Sequence, residues 1–234
     1  MSKAAEDLAT DPELSLIDAI YARRSVRGYL DREVPREVLD RIFEIAQQSP
    51  SNCNVQPWKA YIATGALKDR LRDQMVANTA SRVPPNPDYE YRGDFVDEYR
   101  KRQVECAVAL YSNMGIERGD KDGRMRAVLR NFEFFDAPHI AFIGMDQKFG
   151  TTVAIDVGMW AQTLMLTMVA FGLHSCPMGT MRNYPDIVRE AFGIEDGTKI
   201  LFGISFGYED QTVAANATRT TRDPISANVV IKSS

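Results

Sequence analysis

Hydrophobic and polar positions change period several times along this chain, and each change marks an element. From Leu14 to Ala22 apolar residues recur at helical spacing and run into the basic tract Arg23, Arg24, Ser25, Val26, Arg27, Gly28, which reads as a helix end and turn. Val34 and Pro35 open a second helical block, with Leu39, Ile42, Phe43 and Ala46 on one face and proline in the favoured first turn; it stops before Pro50. Residues 49–57 (SPSNCNVQP) are dense in turn formers and lead into WKAYIATG, whose aromatic and β-branched content predicts a strand. A helix is expected from Ala66 to Thr79, then a long irregular excursion over PPNPDYEYRGD, where prolines and a glycine break every pattern. Asp94 to Met114 again has helical period, RGDKDGR is a turn, and Met125 to Phe135 carries a further helix. HIAFIGM and KILFGISFGY predict strands; between them lie an apolar helix, the loop HSCPMGTMRNYP and the short helix DIVREAFGI. Residues 209–234 are polar until ANVVI and read as an extended arm, whereas residues 1–14 read as a polar extension of a single domain spanning 1–234. Helices and strands alternate without an internal repeat, so the class is mixed α and β.

The apolar stretch from Val157 to Leu173 sits at the lower length limit for crossing a bilayer. Gln162, Thr163 and Thr167 interrupt it, Gly158 and Gly172 weaken it, and no basic cluster flanks it, so burial in protein is the better reading. A helix apolar all round needs more cover than one chain of this size readily supplies, which predicts a homodimer with this helix near its centre.

Composition narrows the function. Lys and Arg total 28 against 32 Asp and Glu, so the net charge of −4 offers no footprint for nucleic acid or an anionic membrane. The first residues lack the basic-then-apolar order of a signal peptide, and Cys53, Cys106 and Cys176 form an odd set without CxxC spacing, so a cytoplasmic protein with reduced thiols is expected. Two histidines, His139 and His174, are too few for a ligand-spacing motif, and no metal is expected. No GxGxxG opens a helix and no GxxxxGK[ST] exists, so any nucleotide must be held by other means.

Four stretches carry candidate chemistry. Arg23, Arg24, Ser25 and Arg27 offer guanidinium forks and a hydroxyl to a phosphate, although the tract alone also reads as a solvated helix end. Pro50, Ser51, Asn52, Cys53 and Asn54 supply amides and hydroxyls for a planar hydrogen-bonding heterocycle, or simply make a capped loop. Pro177, Met178, Gly179 and Thr180 form a turn whose backbone amides face a ligand, or a connector. Arg219 and Arg222 stand on the arm, as ligands or as surface charge.

In this order, RRSVRGY, SPSNCNVQPW, GLHSCPMGTM, FGISFGYED and an Arg-containing tail resemble the FMN-dependent nitroreductase family from about Ser15 onward, and NMGIERGDKDGR with NFEFFDAPH resembles its longer-chain members. The resemblance implies an α+β, three-layer fold with a central mixed, mainly antiparallel sheet flanked by helices, in an intertwined homodimer. It implies that Arg23, Arg24, Ser25 and Arg27 hold the flavin phosphate and ribityl chain, with Arg222, or Arg219 as fallback, as the late basic residue. Pro50, Ser51, Asn52 and Asn54 would approach the flavin from the neighbouring subunit, and Pro177, Met178, Gly179 and Thr180 would face its reactive edge. Cys53 stands where many members have a hydroxyl or amide, and is read as a space-filling side chain. Gly179-Thr180 replaces the Glu-Gly common in relatives, which keeps a backbone role and removes an acidic side chain. The activity implied is ping-pong hydride transfer from NADPH or NADH through FMN to a nitroaromatic or quinone, with no catalytic side chain and with Tyr89, Tyr91, Phe95 or the NFEFF segment as pocket lid. The alternatives are another acceptor (an activated alkene, a halogenated aromatic, the flavin itself with oxygen) or a flavin-binding protein without turnover.

Overall fold

The two predicted strands richest in aromatic and β-branched residues become neighbours. A computed structural model describes residues 14–89, 94–194 and 197–233. Its sheet comprises β1 (Lys59–Thr64), β2 (His139–Asp146), β3 (His174–Met178) and β4 (Thr198–Gly207) in the order β1-β2-β4-β3, antiparallel at each pairing. A parallel bridge between Ser25 and Ser175 extends the β3 edge and makes the sheet mixed.

Among the described residues seven helices surround it: α1 (Leu16–Ala22), α2 (Arg36–Ala46), α3 (Gly65–Ala80), α4 (Asp97–Asn113), α5 (Lys121–Phe132), α6 (Thr151–Ala170) and α7 (Pro185–Phe192). β2 shows why there are three layers. Ile140 and Phe142 enter one core with Leu71, Met75, Phe134 and Val188, while Ala141, Ile143 and Met145 enter a second with Ile42, Trp160, Leu164 and Met168. The period of two along a strand buried on both faces sorts its side chains between two helical layers.

Three boundaries differ most from the sequence reading. His174–Met178, expected to be loop, is an edge strand, because β4 has a free side on which its extended backbone pairs; Pro177 is tolerated there since an edge strand needs fewer donors. RGDKDGR is not wholly turn: Asp120 Oδ1 accepts the Gly123 N–H at 2.7 Å and starts α5 at Lys121. The apolar helix begins six residues before Val157, at Thr151, and ends before Phe171. Residues 1–13 and Tyr91 lie outside the described residues.

α6 is long and apolar enough to cross a membrane, yet it lies against the sheet, α1 and α2 with half of its apolar window buried. The uncovered remainder forms a stripe: Ile155 and Met159 are 62% and 38% exposed, with Gly158 and Gln162 beside them. α1 behaves alike, burying only Ala19 and leaving Leu16, Ile17, Ile20 and Tyr21 in solvent.

Candidate active site

The basic tract is set in place by the sheet. Ser15 caps α1, its Oγ accepting the Asp18 N–H at 3.1 Å, and the helix ends at Arg23. From there the chain runs extended across the end of β3 and β4: Val26 N–H donates to Ser175 O at 3.1 Å, Leu30 N–H to Tyr208 O at 2.9 Å, and Tyr29 bridges Glu209. Buried Val26 and Tyr29 anchor it, the Tyr29 hydroxyl donating to Val26 O and Ser205 O. Burial pushes the Tyr29 hydroxyl well above its ordinary pKa.

This crossing brings Arg23, Arg24, Ser25 and Arg27 together with Arg219 and Arg222 of the arm, around a cleft of about 670 Å³ that His174 and Cys106 also line. Residues about 195 positions apart in sequence thus share one wall, and both arm candidates reach it. Arg24 is engaged: its Nη2 donates to both carboxylate oxygens of Glu209 at 2.5 Å. The other four arginines of the cleft make no ion pair with a described residue. Arg23 has its pKa lowered by burial and next by the charge of Arg222, so two cations face each other without a carboxylate between them. Buried polar atoms without a partner among the described residues lie around the tract: Arg24 Nη1, His174 Nδ1 and Ser175 Oγ. Burial lowers the His174 pKa, against the pull of Glu209, so its ring favours the neutral form. Burial raises the Cys176 thiol, which keeps it protonated beneath Arg23 and Arg27.

Arg27 also opens onto a second cavity, of about 360 Å³, between α4, α5 and the arm. Leu110, Met114, Val128 and Phe135 give it apolar walls, and Tyr111 and Asn131 add polar atoms. Phe135 reaches this wall from a stretch in which Phe134, Phe135 and Asp136 all have φ between 56° and 63°, a left-handed run that costs energy in non-glycine residues and concentrates at functional sites. A cleft lined by five arginines and joined through Arg27 to a cavity with apolar walls suits a phosphorylated ligand with an apolar body.

Apart from Asn131 and Phe135 of the NFEFF segment, the other predicted residues do not line either cavity. Pro50, Asn52, Cys53 and Asn54 are exposed on a loop carried by α6, where Asn52 N–H donates to Asp156 Oδ2 at 3.1 Å and Gln56 N–H to Ser51 Oγ at 3.0 Å. Cys53 and Asn54 adopt φ of 48° and 56°, so this exposed loop is also left-handed. At the other turn Gly179 is exposed, Pro177 and Met178 end β3, and Thr180 keeps a buried Oγ1 without a partner among the described residues. Of the lid candidates, Tyr89 is half-buried against the α2 and α6 core, Phe95 is exposed, and Phe134 and Phe135 are core. Sequence reasoning missed Glu209 and Asn216, whereas Asn131, the first residue of NFEFF, lies in the segment expected as a lid.

A model of the Nitroreductase family matches residues 20–208. The chain is 38% identical over 225 residues to nitroreductase NfnB of Mycolicibacterium smegmatis, covering 94% of this chain and 95% of that protein. It is 35% identical over 239 residues to a 4-nitrobenzoate reductase of a Nocardioides species, covering 97% and 96%. The crystal structure of FMN-dependent NfnB from Mycobacterium smegmatis in complex with NADPH is similar at a TM-score of 0.88 and 36% identity, over 92% of this chain and 96% of that one.

Proposed function

The chain belongs to the nitroreductase family, and we propose that it is an FMN-dependent oxidoreductase that uses NADPH or NADH to reduce nitroaromatic compounds, with quinone-like acceptors as further substrates. The observation that carries this reading is the pair Arg23 and Arg222, two unneutralised cations at one cleft beside orphaned buried donors. A phosphate monoester there relieves their repulsion and takes charge-assisted hydrogen bonds from Arg23, Ser25 and Arg222. Arg24, held by Glu209, forms the wall with Nη1 to spare. Arg27 stands where the cleft meets the apolar cavity and offers positive charge to a planar ring, stabilising negative charge that builds on it during reduction. Leu110, Met114, Val128 and Phe135 shape that cavity and offer the ring apolar contacts. When bound, FMN supplies the redox chemistry, accepting hydride from a nicotinamide and returning electrons to the acceptor.

The active species in this proposal is a homodimer. The uncovered stripe of α6 and the apolar side of α1 support it, as does the exposed loop 50–54, which has no ligand role within its own protomer and becomes available to a neighbour's flavin. A cytoplasmic setting agrees with the free thiols of Cys53, Cys106 and Cys176.

The test is the visible spectrum of the purified protein, recorded without oxygen before and after NADPH and again after a nitroaromatic. A yellow protein that bleaches and then recovers over repeated cycles supports the reading, and Arg23→Ala should weaken FMN binding about 10- to 100-fold, the loss of one hydrogen bond to a charged group. A protein that takes up no FMN refutes it.

A further inference from the structure

The two cationic limbs of the cleft come from chain regions far apart in sequence, and something must fix their spacing. Asn216 lies between them, 4% exposed, in the 3₁₀ turn Ala214–Ala217. Its carboxamide is fully used: Oδ1 accepts the Arg27 N–H at 2.6 Å, and Nδ2 donates to Gly28 O and to Asp210 O, each at 2.9 Å. Its main-chain carbonyl accepts from Arg219 Nη1 at 2.8 Å, and its N–H donates to Val213 O at 2.9 Å. One residue therefore bonds the backbone of the first limb and a guanidinium of the second.

The seam it closes is tight. A methyl group at Gly28 would lie 2.5 Å from Val213 Cβ, so the tract and the arm are at closest approach beside Asn216. The Arg27 side chain has a weaker internal tie, Nη1 to Ser25 O at 3.3 Å, so its aim follows a backbone that Asn216 holds. Only an amide satisfies both sides, since it presents one acceptor and two donors in a plane; aspartate lacks the donors and a hydroxyl lacks the reach.

We propose that Asn216 is a positioning residue that, by tying the backbone at Arg27 and Gly28 to the arm, presets the spacing between the tract carrying Arg23 and Ser25 and the arm carrying Arg222, and thereby selects a flavin bearing a terminal phosphate over one without it. The selection rests on the FMN reading above. Its physical basis is preorganisation: cations already fixed in place lose less freedom when they bind a phosphate.

The experiment compares equilibrium binding of FMN and of riboflavin, which lacks the phosphate, to the wild-type chain and to Asn216→Ala and Asn216→Ser, with each variant's melting temperature recorded. The wild type should prefer FMN, and the variants should lose tenfold or more in FMN affinity while riboflavin affinity stays within twofold. A purely structural role lowers both affinities together, and that result overturns the proposal, as does an unchanged FMN preference. Should Asn216→Ala fail to fold, the neutral and smaller change to serine carries the comparison alone. A wild type that binds no FMN defeats the functional reading before any variant is made; a wild type that prefers FMN, with variants that prefer it equally, defeats only the role of Asn216.

Discussion

Lowering the pH from 7 to 5 should destabilise this protein through one histidine. His139 opens β2 with 2% of its surface exposed, its ring stacked on Phe206 at 5.1 Å and 17°. Its Nε2 accepts the Val34 N–H at 2.9 Å, which requires the neutral ring with its proton on Nδ1. Protonating Nε2 would set a second hydrogen against that N–H in a buried site. Burial accordingly lowers its pKa from 6.5 to about 4, with Lys68 adding to the shift and Glu33 opposing it. In the unfolded chain the ring takes up its proton as pH falls below 6.5, whereas the folded protein resists until about pH 4. Stability is therefore fully present above that upper value and is lost as pH falls through the window, by about 3 kcal/mol in total and about 2 kcal/mol by pH 5. His174 shifts in the same direction and carboxylates titrate below, so the contribution of His139 must be isolated by difference. His139→Gln keeps an acceptor for Val34 without a titrating group. Urea unfolding at fixed protein concentration, at pH 7 and 5, should show wild type losing about 2 kcal/mol more than the variant. Equal losses in the two proteins would refute the assignment.

Two further predictions concern assembly and the anion site. Met159→Glu places a charge on the uncovered stripe of α6 and should convert the dimer to monomer in light scattering while the melting temperature changes little; an intact dimer would exclude this face from the interface. The more internal Met165 is only 8% exposed and packs in its own protomer, so it would report on folding instead. Gly28→Ala should force Val213 and the arm outward and cut FMN retention on a desalting column by tenfold or more; full retention would show that the arm yields without affecting the cleft.

The layers of this fold were legible where one physical signal dominates. Ile42 and Ala46 at helical spacing, and the apolar, aromatic-rich runs of β2 and β4, announced their elements because burial dominates the choice of those residues. β3 was hidden because HSCPM has neither period nor β-branching, and it is a strand only through the free edge of β4, a tertiary fact. The start of α5 was hidden by Gly123 and by charged residues that signal a turn, until the Asp120 cap is counted. At the site, the arginines were legible as types, and the arm pair could be named but not resolved; both line the cleft. What the sequence could not display was neutralisation: that Glu209 takes Arg24 and leaves Arg23 and Arg222 facing each other depends on the crossing of two distant segments. Asn216 carried no motif because its role rests on what the fold sets beside it.

α4 contributes no residue to the buried core along its 17 positions, yet Leu110 and Tyr111 from it wall the apolar cavity. A helix so attached has little apolar burial to lose on detaching, so its opening free energy lies near the bottom of the range spanned by this protein, and its amides should exchange with deuterium ahead of those in β2 and β4. The cavity thus has one wall on α5, Phe135 and the arm and another, on α4, that breathes. On the proposed reading, the bulk of an admitted acceptor would be limited by the opening equilibrium of a single helix, and differently substituted aromatic rings could enter without any rearrangement of the arginines proposed to hold the phosphate.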